Sequence, residues 1–221
     1  MPHDGAVTFP TSATSPTPAS PETPLTPAPS PAAPPARLTV VAGPTAVGKG
    51  TIVAALRDSH PELFVSVSCT TRAPRPGEID GVHYRFVDDA EFDALVERGD
   101  MLEWALVHGA HRYGTPRGPV AEALAQRRPA LLEIDLAGAR QVRESMPDAL
   151  FVFIAPPSWD ALVERLVGRG TEGAAERERR LATARTEMAA ADEFDVVVVN
   201  DTVERAAAEL ERLLSLAPAA S

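Results

Sequence analysis

From residue 38 onward, short continuous apolar runs alternate with amphipathic stretches. Residues 38–42, 64–68, 130–135, 150–154 and 196–199 read as strands. Their apolar residues are consecutive rather than alternating, as in parallel strands covered on both faces. Between them, 49–57, 88–98, 116–127, 158–168, 176–191 and 202–216 carry helical spacing. Asp88 and Ser158 stand where N-caps are expected, and carboxylates suit the positive end of a helix. Strands alternating with helices predict an α/β fold with a mostly parallel sheet flanked by helices.

Residues 70–113 break that rhythm. They hold a turn-rich run, Ala73-Pro74-Arg75-Pro76-Gly77, short aromatic segments and one helix. This predicts a lobe inserted at about 69–113 between core segments 37–68 and 114–221. The stretch RGTEGAAE (169–176) lies between two helical patterns. Its two glycines predict a mobile connection, within a lid of about 165–180. Residues 1–36 are different again, holding 11 of the 22 prolines and no Lys or Arg. Such a segment cannot bury enough apolar surface to offset its ordering entropy, so a disordered tail is expected. It lacks the charged and apolar regions of a secretory signal.

Net charge is −10, and residues 37–221 carry 29 acids against 21 bases. An acidic domain argues against a nucleic-acid binder held by counterion release. No apolar stretch approaches the ~18 residues of a membrane span. The lone Cys69 excludes an internal disulfide and a cysteine-rich zinc site, and fits a cytoplasmic location. Of the 21 basic residues, 20 are Arg and one is Lys49.

That lysine closes the run Gly43-Pro44-Thr45-Ala46-Val47-Gly48-Lys49-Gly50-Thr51, which follows a strand and opens a helix. Gly, four residues, then Gly-Lys is the spacing of a P-loop. Its backbone N–H groups converge on phosphate oxygens, with the helix dipole behind them. Lys49 can reach the terminal phosphates of ATP as a compact point charge, a task for which a planar guanidinium is poorly shaped. Gly50 stands where most P-loops have a Ser or Thr ligand for Mg²⁺. The ion is therefore expected on ATP and water, with Thr51 the nearest candidate ligand.

With that loop, the segment Ser66-Val67-Ser68-Cys69-Thr70-Thr71-Arg72-Ala73-Pro74-Arg75-Pro76-Gly77-Glu78, continuing to Gly81-Val82-His83-Tyr84, resembles guanylate kinase. The resemblance runs from about Leu38 to Leu214 through Leu102-Glu103-Trp104, Tyr113-Gly114-Thr115, Leu132-Glu133-Ile134-Asp135, Gly168-Arg169-Gly170-Thr171-Glu172, Arg180-Leu181 and Val199-Asn200-Asp201. It implies a P-loop NTPase-like core, a GMP-binding lobe, a mobile lid, and phosphoryl transfer from ATP to GMP in purine nucleotide metabolism.

By that resemblance, Arg72 and Arg75 with Tyr84 and Tyr113 hold the GMP phosphate. Guanidinium forks suit such a task. Glu103 and Ser68 read guanine, with Thr115 nearby; adenine would leave these polar groups unpaired or opposed. Glu133 and Asp135 end a strand, where open α/β sheets place their sites, and strand alternation would set both on one face. Arg165, Arg169 and Arg180 reach the transferring phosphate when the lid closes, and Asn200 and Asp201 contact the adenine side of ATP. No general base is assigned, because positioning and electrostatics carry this chemistry. Ala46 departs from the family's usual Gly, and Ala137 from its frequent Gln. His83, His108 and His111 show no metal-ligand spacing. Competing readings are a catalytically weak binding module on the same fold, a kinase of another acceptor, and a GTPase switch. The last needs an Asn-Lys-x-Asp motif, which a chain whose only lysine is Lys49 lacks.

Overall fold

The computed structural model describes residues 36–107, 111–167 and 174–216. The tail expected at 1–36, save its last residue, lies outside the described residues, as do Arg169, His108 and residues 168–173 of the connection. The chain divides into two contact units at Pro34/Pro35, and every described element belongs to the second.

In chain order the first elements are β1 (Leu38–Ala42), α1 (Lys49–Ser59), β2 (Phe64–Val65), β3 (Cys69–Thr70) and β4 (Arg85–Phe86). Then come α2 (Asp89–Glu97), β5 (Met101–Val107), β6 (His111–Pro116), α3 (Arg117–Ala125) and β7 (Ala130–Glu133). The chain continues through α4 (Leu136–Ser145), β8 (Leu150–Ala155), α5 (Trp159–Val167), α6 (Ala174–Ala189), β9 (Val196–Val199) and α7 (Val203–Leu213).

The core sheet has the order β2-β7-β1-β8-β9, and every pair in it is parallel. β1 is buried along its whole length because both faces are covered. Leu38, Val40 and Ala42 pack with Val120, Leu132 and Phe151 on one side. Val41 packs with Ile52, Leu56, Leu162 and Leu210 on the other. The strand order turns around β1, so the crevice beyond its carboxyl end is the switch point where such sheets bind ligands.

The lobe is a second sheet, β4-β3-β6-β5, with β5 and β6 antiparallel. Helix α2 seats Phe92 against Cys69, Leu95 and Met101 beneath it. Asp88 caps α2, its carboxylate accepting the Glu91 N–H at 2.8 Å. Ser158 Oγ likewise accepts the Ala161 N–H at the start of α5.

Several expectations need correction. The strand expected at 64–68 is only Phe64–Val65, because the chain leaves β7 there to enter the lobe. β6 continues to Pro116, so Gly114 and Thr115 belong to the lobe sheet rather than to resumed core. α4 has no counterpart among the expected helices: its apolar face of Leu136, Ala139 and Val142 is narrow and the stretch is polar on average. β7 ends at Glu133, so Asp135 is not a second residue on that strand face. It is the N-cap of α4, accepting the Gly138 N–H at 2.7 Å.

Candidate functional site

The loop between β1 and α1 owes its shape to two glycines. Gly43 has φ of 148°, and a Cβ there would lie 2.3 Å from the Ile154 carbonyl oxygen of β8. Gly48 has φ of 100°, and a Cβ there would lie 2.5 Å from Asn200 Nδ2. Both positions combine the left-handed region with close approach, which only glycine satisfies. Ala46 also adopts a positive φ of 66°. Its methyl group thus sits in the left-handed region, at a cost of roughly 1–2 kcal/mol.

Lys49 Nζ donates to the carbonyls of Gly43 at 2.7 Å and Pro44 at 3.3 Å, so its ammonium lies within the loop. Burial pushes its pKa down, against the pull of Glu133, Glu187 and Asp135. Burial in turn raises the pKa of Glu133. Behind the loop, the Val47 carbonyl accepts from Asn200 Nδ2 at 2.7 Å and from Arg165 Nη1 at 3.0 Å. Arg165 Nη2 also donates to the Asn200 carbonyl. Asn200 is only 3% exposed. Asn200 and Arg165 thus brace the loop from behind. Asp201 pairs with Arg205 and accepts the Thr202 N–H. Thr51 is exposed on α1.

On the lobe, Arg72 is bound in a fork: its Nη1 and Nη2 donate to the two oxygens of Glu78 at 3.0 and 2.8 Å. Its Nε donates to the Tyr113 hydroxyl at 3.0 Å, and Nη1 also to the Ala73 carbonyl. Arg72 and the Arg75 N–H hold the Glu78 carboxyl down at about 2. Tyr84 lies edge-on to Tyr113 and beneath the Arg72 guanidinium. Arg75 is exposed beside this cluster.

Glu103 is 7% exposed, and Thr115, fully buried, donates its hydroxyl to Glu103 Oε1 at 2.6 Å. Burial, with a smaller push from Asp135, raises the Glu103 carboxyl to about 7. Gly138 allows this placement, since a Cβ there would lie 3.0 Å from Glu103 Oε2.

One cleft of about 280 Å³ joins these parts. The loop contributes Gly43, Thr45 and Lys49, and the lobe contributes Ser68, Tyr84, Glu103 and Tyr113. Glu133 and Asp135 form the floor between them. Arg72, Arg75 and Thr115 stand behind or beside this lining; Arg165, Asn200 and Asp201 lie on the far side of the loop. Arg180 is on α6, seven residues before Glu187 and so on the same helix face. Among the described residues no cluster of three or more His, Cys, Asp or Glu side chains could hold a metal.

Glu187 joins the site without any signal in the sequence. Its Oε2 accepts the Thr45 N–H at 3.1 Å, and burial raises its carboxyl pKa. Among the many charges of α6 nothing in the spacing marks it; only the packing of α6 over the loop does.

A family model described as Guanylate kinase matches residues 35–217. Curated guanylate kinases of Leifsonia xyli subsp. xyli and Cutibacterium acnes are each 60% identical over 182 residues, which is 82% of this chain. That stretch spans 72% and 92% of those relatives respectively. The crystal structure of guanylate kinase from Anaplasma phagocytophilum aligns with a TM-score of 0.63 at 31% identity, covering 81% of this chain and 85% of that one. A loop built for phosphate and a lobe with a buried carboxylate thus meet in one cleft, within a stretch that the family model matches almost throughout: the chain belongs to the guanylate kinase family.

Proposed function

We propose that this protein transfers the terminal phosphoryl group of ATP to GMP, giving ADP and GDP, and that it accepts dGMP as well. The observation that carries this reading is the single cleft with Lys49 at one end and Glu103 at the other. In-line transfer needs donor and acceptor phosphates held together, with charge supplied where it develops.

On this reading, ATP lies along residues 43–51 with its phosphates on the loop N–H groups. Lys49 exchanges its two loop carbonyls for phosphate oxygens. Asn200 and Arg165 fix the loop, and Asp201 lies toward the adenine end. The GMP phosphate meets Arg72, Arg75, Tyr84 and Tyr113. Arg72 already spends four of its five N–H donors on the Glu78, Tyr113 and Ala73 contacts, so among the described residues it keeps one N–H and its charge to offer. Exposed Arg75 supplies the mobile fork. Glu103 accepts from guanine N1–H and the 2-amino group, and Ser68 donates to O6. Thr115 sets the Glu103 carboxylate. Arg169 and Arg180 belong to the lid, and Arg180 shares its helix face with Glu187; Arg165, expected with them at the transferring phosphate, is instead held behind the loop by the Val47 and Asn200 carbonyls. No residue acts as general base.

Mg²⁺ fits this donor set only as an ion carried by the nucleotide. A Cβ on Gly50 would lie 3.7 Å from both Glu133 oxygens, so the missing side chain leaves that carboxylate open to the loop. Thr51, Glu133 and Asp135 are hard oxygen donors that would hold the ion directly or through its waters. Bound there, it would neutralise phosphate charge. No described helix is long and apolar enough to cross a membrane. We place catalysis in residues 37–221 and none in 1–36.

The test is a coupled ADP-release assay with GMP, dGMP, AMP, UMP and CMP, using Lys49→Met as the inactive control. GMP and dGMP are expected to turn over and the others not. Equal rates with AMP and GMP overturn the assignment.

A further inference from the structure

β5 is the terminal strand of the lobe sheet, so among the described residues one of its edges has no neighbouring strand. Such an edge presents backbone N–H and C=O groups without ladder partners. At Trp104 both are taken by one side chain from the core. Gln141 Oε1 accepts the Trp104 N–H at 3.0 Å, and Gln141 Nε2 donates to the Trp104 carbonyl at 3.0 Å. A carboxamide bonded in this way reproduces what one residue of a further strand would supply.

Gln141 does not act alone. Gly138, Gln141 and Ser145 share one face of α4. They meet three consecutive residues of β5. Ser145 Oγ lies 3.4 Å from the Leu102 carbonyl and 3.4 Å from the Val142 carbonyl of its own helix. Gly138 lies against the Glu103 carboxylate, and Gln141 holds Trp104. The β5–β6 ladder shifts register between Met101 and Glu103, so β5 bends immediately before Glu103, which pairs with Thr115. Thr115 grips one carboxylate oxygen from inside the sheet. What fixes the backbone on the other side is α4, whose cap is Asp135 on the floor of the cleft.

We propose that Gln141 is a positioning residue for base selectivity. By holding the Trp104 backbone, it keeps both Glu103 oxygens in the plane of the base, where they meet N1–H and the exocyclic 2-amino group together. This rests on the reading of Glu103 as the guanine acceptor. Two coplanar donors make a strict demand on carboxylate orientation; hypoxanthine, which offers N1–H alone, makes a looser one. Loss of Gln141 therefore penalises GMP more than IMP.

Gln141→Met is nearly isosteric and removes both hydrogen bonds. Gln141→Glu keeps an acceptor for the Trp104 N–H but sets an oxygen against the Trp104 carbonyl. Steady-state kinetics with GMP and IMP are measured for both variants, with thermal unfolding alongside. The expected result is an increase of about tenfold in KM for GMP and less than about twofold for IMP, with kcat and KM for ATP within about twofold. A merely structural residue would lower thermal stability and move both acceptors together, or neither; that result in the two variants overturns the inference. Glu103→Gln is run in parallel. If it leaves the preference for GMP over IMP intact, the reading of Glu103 falls. If it collapses the preference and the Gln141 variants do not, only the role of Gln141 falls.

Discussion

Thr115 Oγ1 lies 2.6 Å from Glu103 Oε1, and this hydrogen bond links two buried side chains on paired strands. It favours the charged form of Glu103, but burial outweighs it and the carboxyl sits at about 7. The deprotonated form accepts two donors, and the protonated form places a hydrogen where a guanine donor must approach. Affinity for GMP should therefore be present above about 7 and fall as pH drops below it. Between about pH 8 and pH 6, kcat/KM for GMP is expected to fall about tenfold. Glu103→Gln should weaken GMP and abolish the slope. A flat GMP profile in the wild-type protein would contradict this.

Much of this fold is legible in the sequence. β1 and its loop stand out because a run buried on both faces ends in glycines at phosphate-loop spacing. The lobe strands do not, since β3 and β4 are two residues long and show no period. α4 is hidden because its apolar face is narrow and Arg140, Gln141, Arg143 and Glu144 make the stretch polar on average. The site follows the same division. Lys49 and Glu133 are legible by type and place, and Glu103 only through the family resemblance. Glu187, Gly138 and Gln141 are not, because each matters through a partner distant in sequence. Asp135 is legible as a site residue but not in its place: the helix begins at that residue, and only the cap geometry shows it.

Gly43 and Gly50 are expected to respond oppositely to the same change. Gly43→Ala forces a Cβ to 2.3 Å from a backbone oxygen at a positive φ, and neither can give way. It should cost several kcal/mol or abolish folding, given that a left-handed residue alone costs roughly 1–2 kcal/mol. At Gly50 a Cβ meets Glu133 at 3.7 Å, which is ordinary contact, inside the first turn of α1. Gly50→Ala should hold or raise the melting temperature, because alanine favours helix by up to ~1 kcal/mol. Thermal unfolding of the two variants checks the contrast.

His60 ties the end of α1 to α7. It is 3% exposed, with Nε2 3.0 Å from Glu211 and Nδ1 3.2 Å from Glu62. Its pKa is raised, chiefly by the Glu211 hydrogen bond. The stabilisation is thus complete below the unfolded-state value near 6.5 and is lost as pH rises through the folded-state value. Neutral imidazole can donate to only one of the two carboxylates. Melting temperature should fall over that range in the wild-type protein, and by less in His60→Gln. Groups that do not touch His60 titrate equally in both proteins, and its carboxylate partners are already ionised at these pH values, so the difference between the pH curves isolates His60. Parallel curves would remove His60 from the balance.

Glu187 places a carboxylate oxygen on the Thr45 N–H, a donor that the loop needs for phosphate, and it faces Lys49 across the same cleft. An anion already on that amide competes with the incoming phosphate for both. ATP must therefore displace the carboxylate or bind beside a like charge, and either costs affinity. Glu187→Gln keeps an acceptor for the Thr45 N–H but removes the charge. It should lower KM for ATP about threefold to tenfold, and most clearly at low salt, where screening is weakest. KM for GMP should change far less, because the GMP contacts lie at the lobe end of the cleft. The raised pKa of Glu187 adds a second readout. As pH falls and the carboxyl protonates, wild-type affinity for ATP should approach that of the variant. Steady-state kinetics at two ionic strengths and across that pH range decide it. A rise in KM for ATP in Glu187→Gln would make the carboxylate a partner of the nucleotide rather than its competitor.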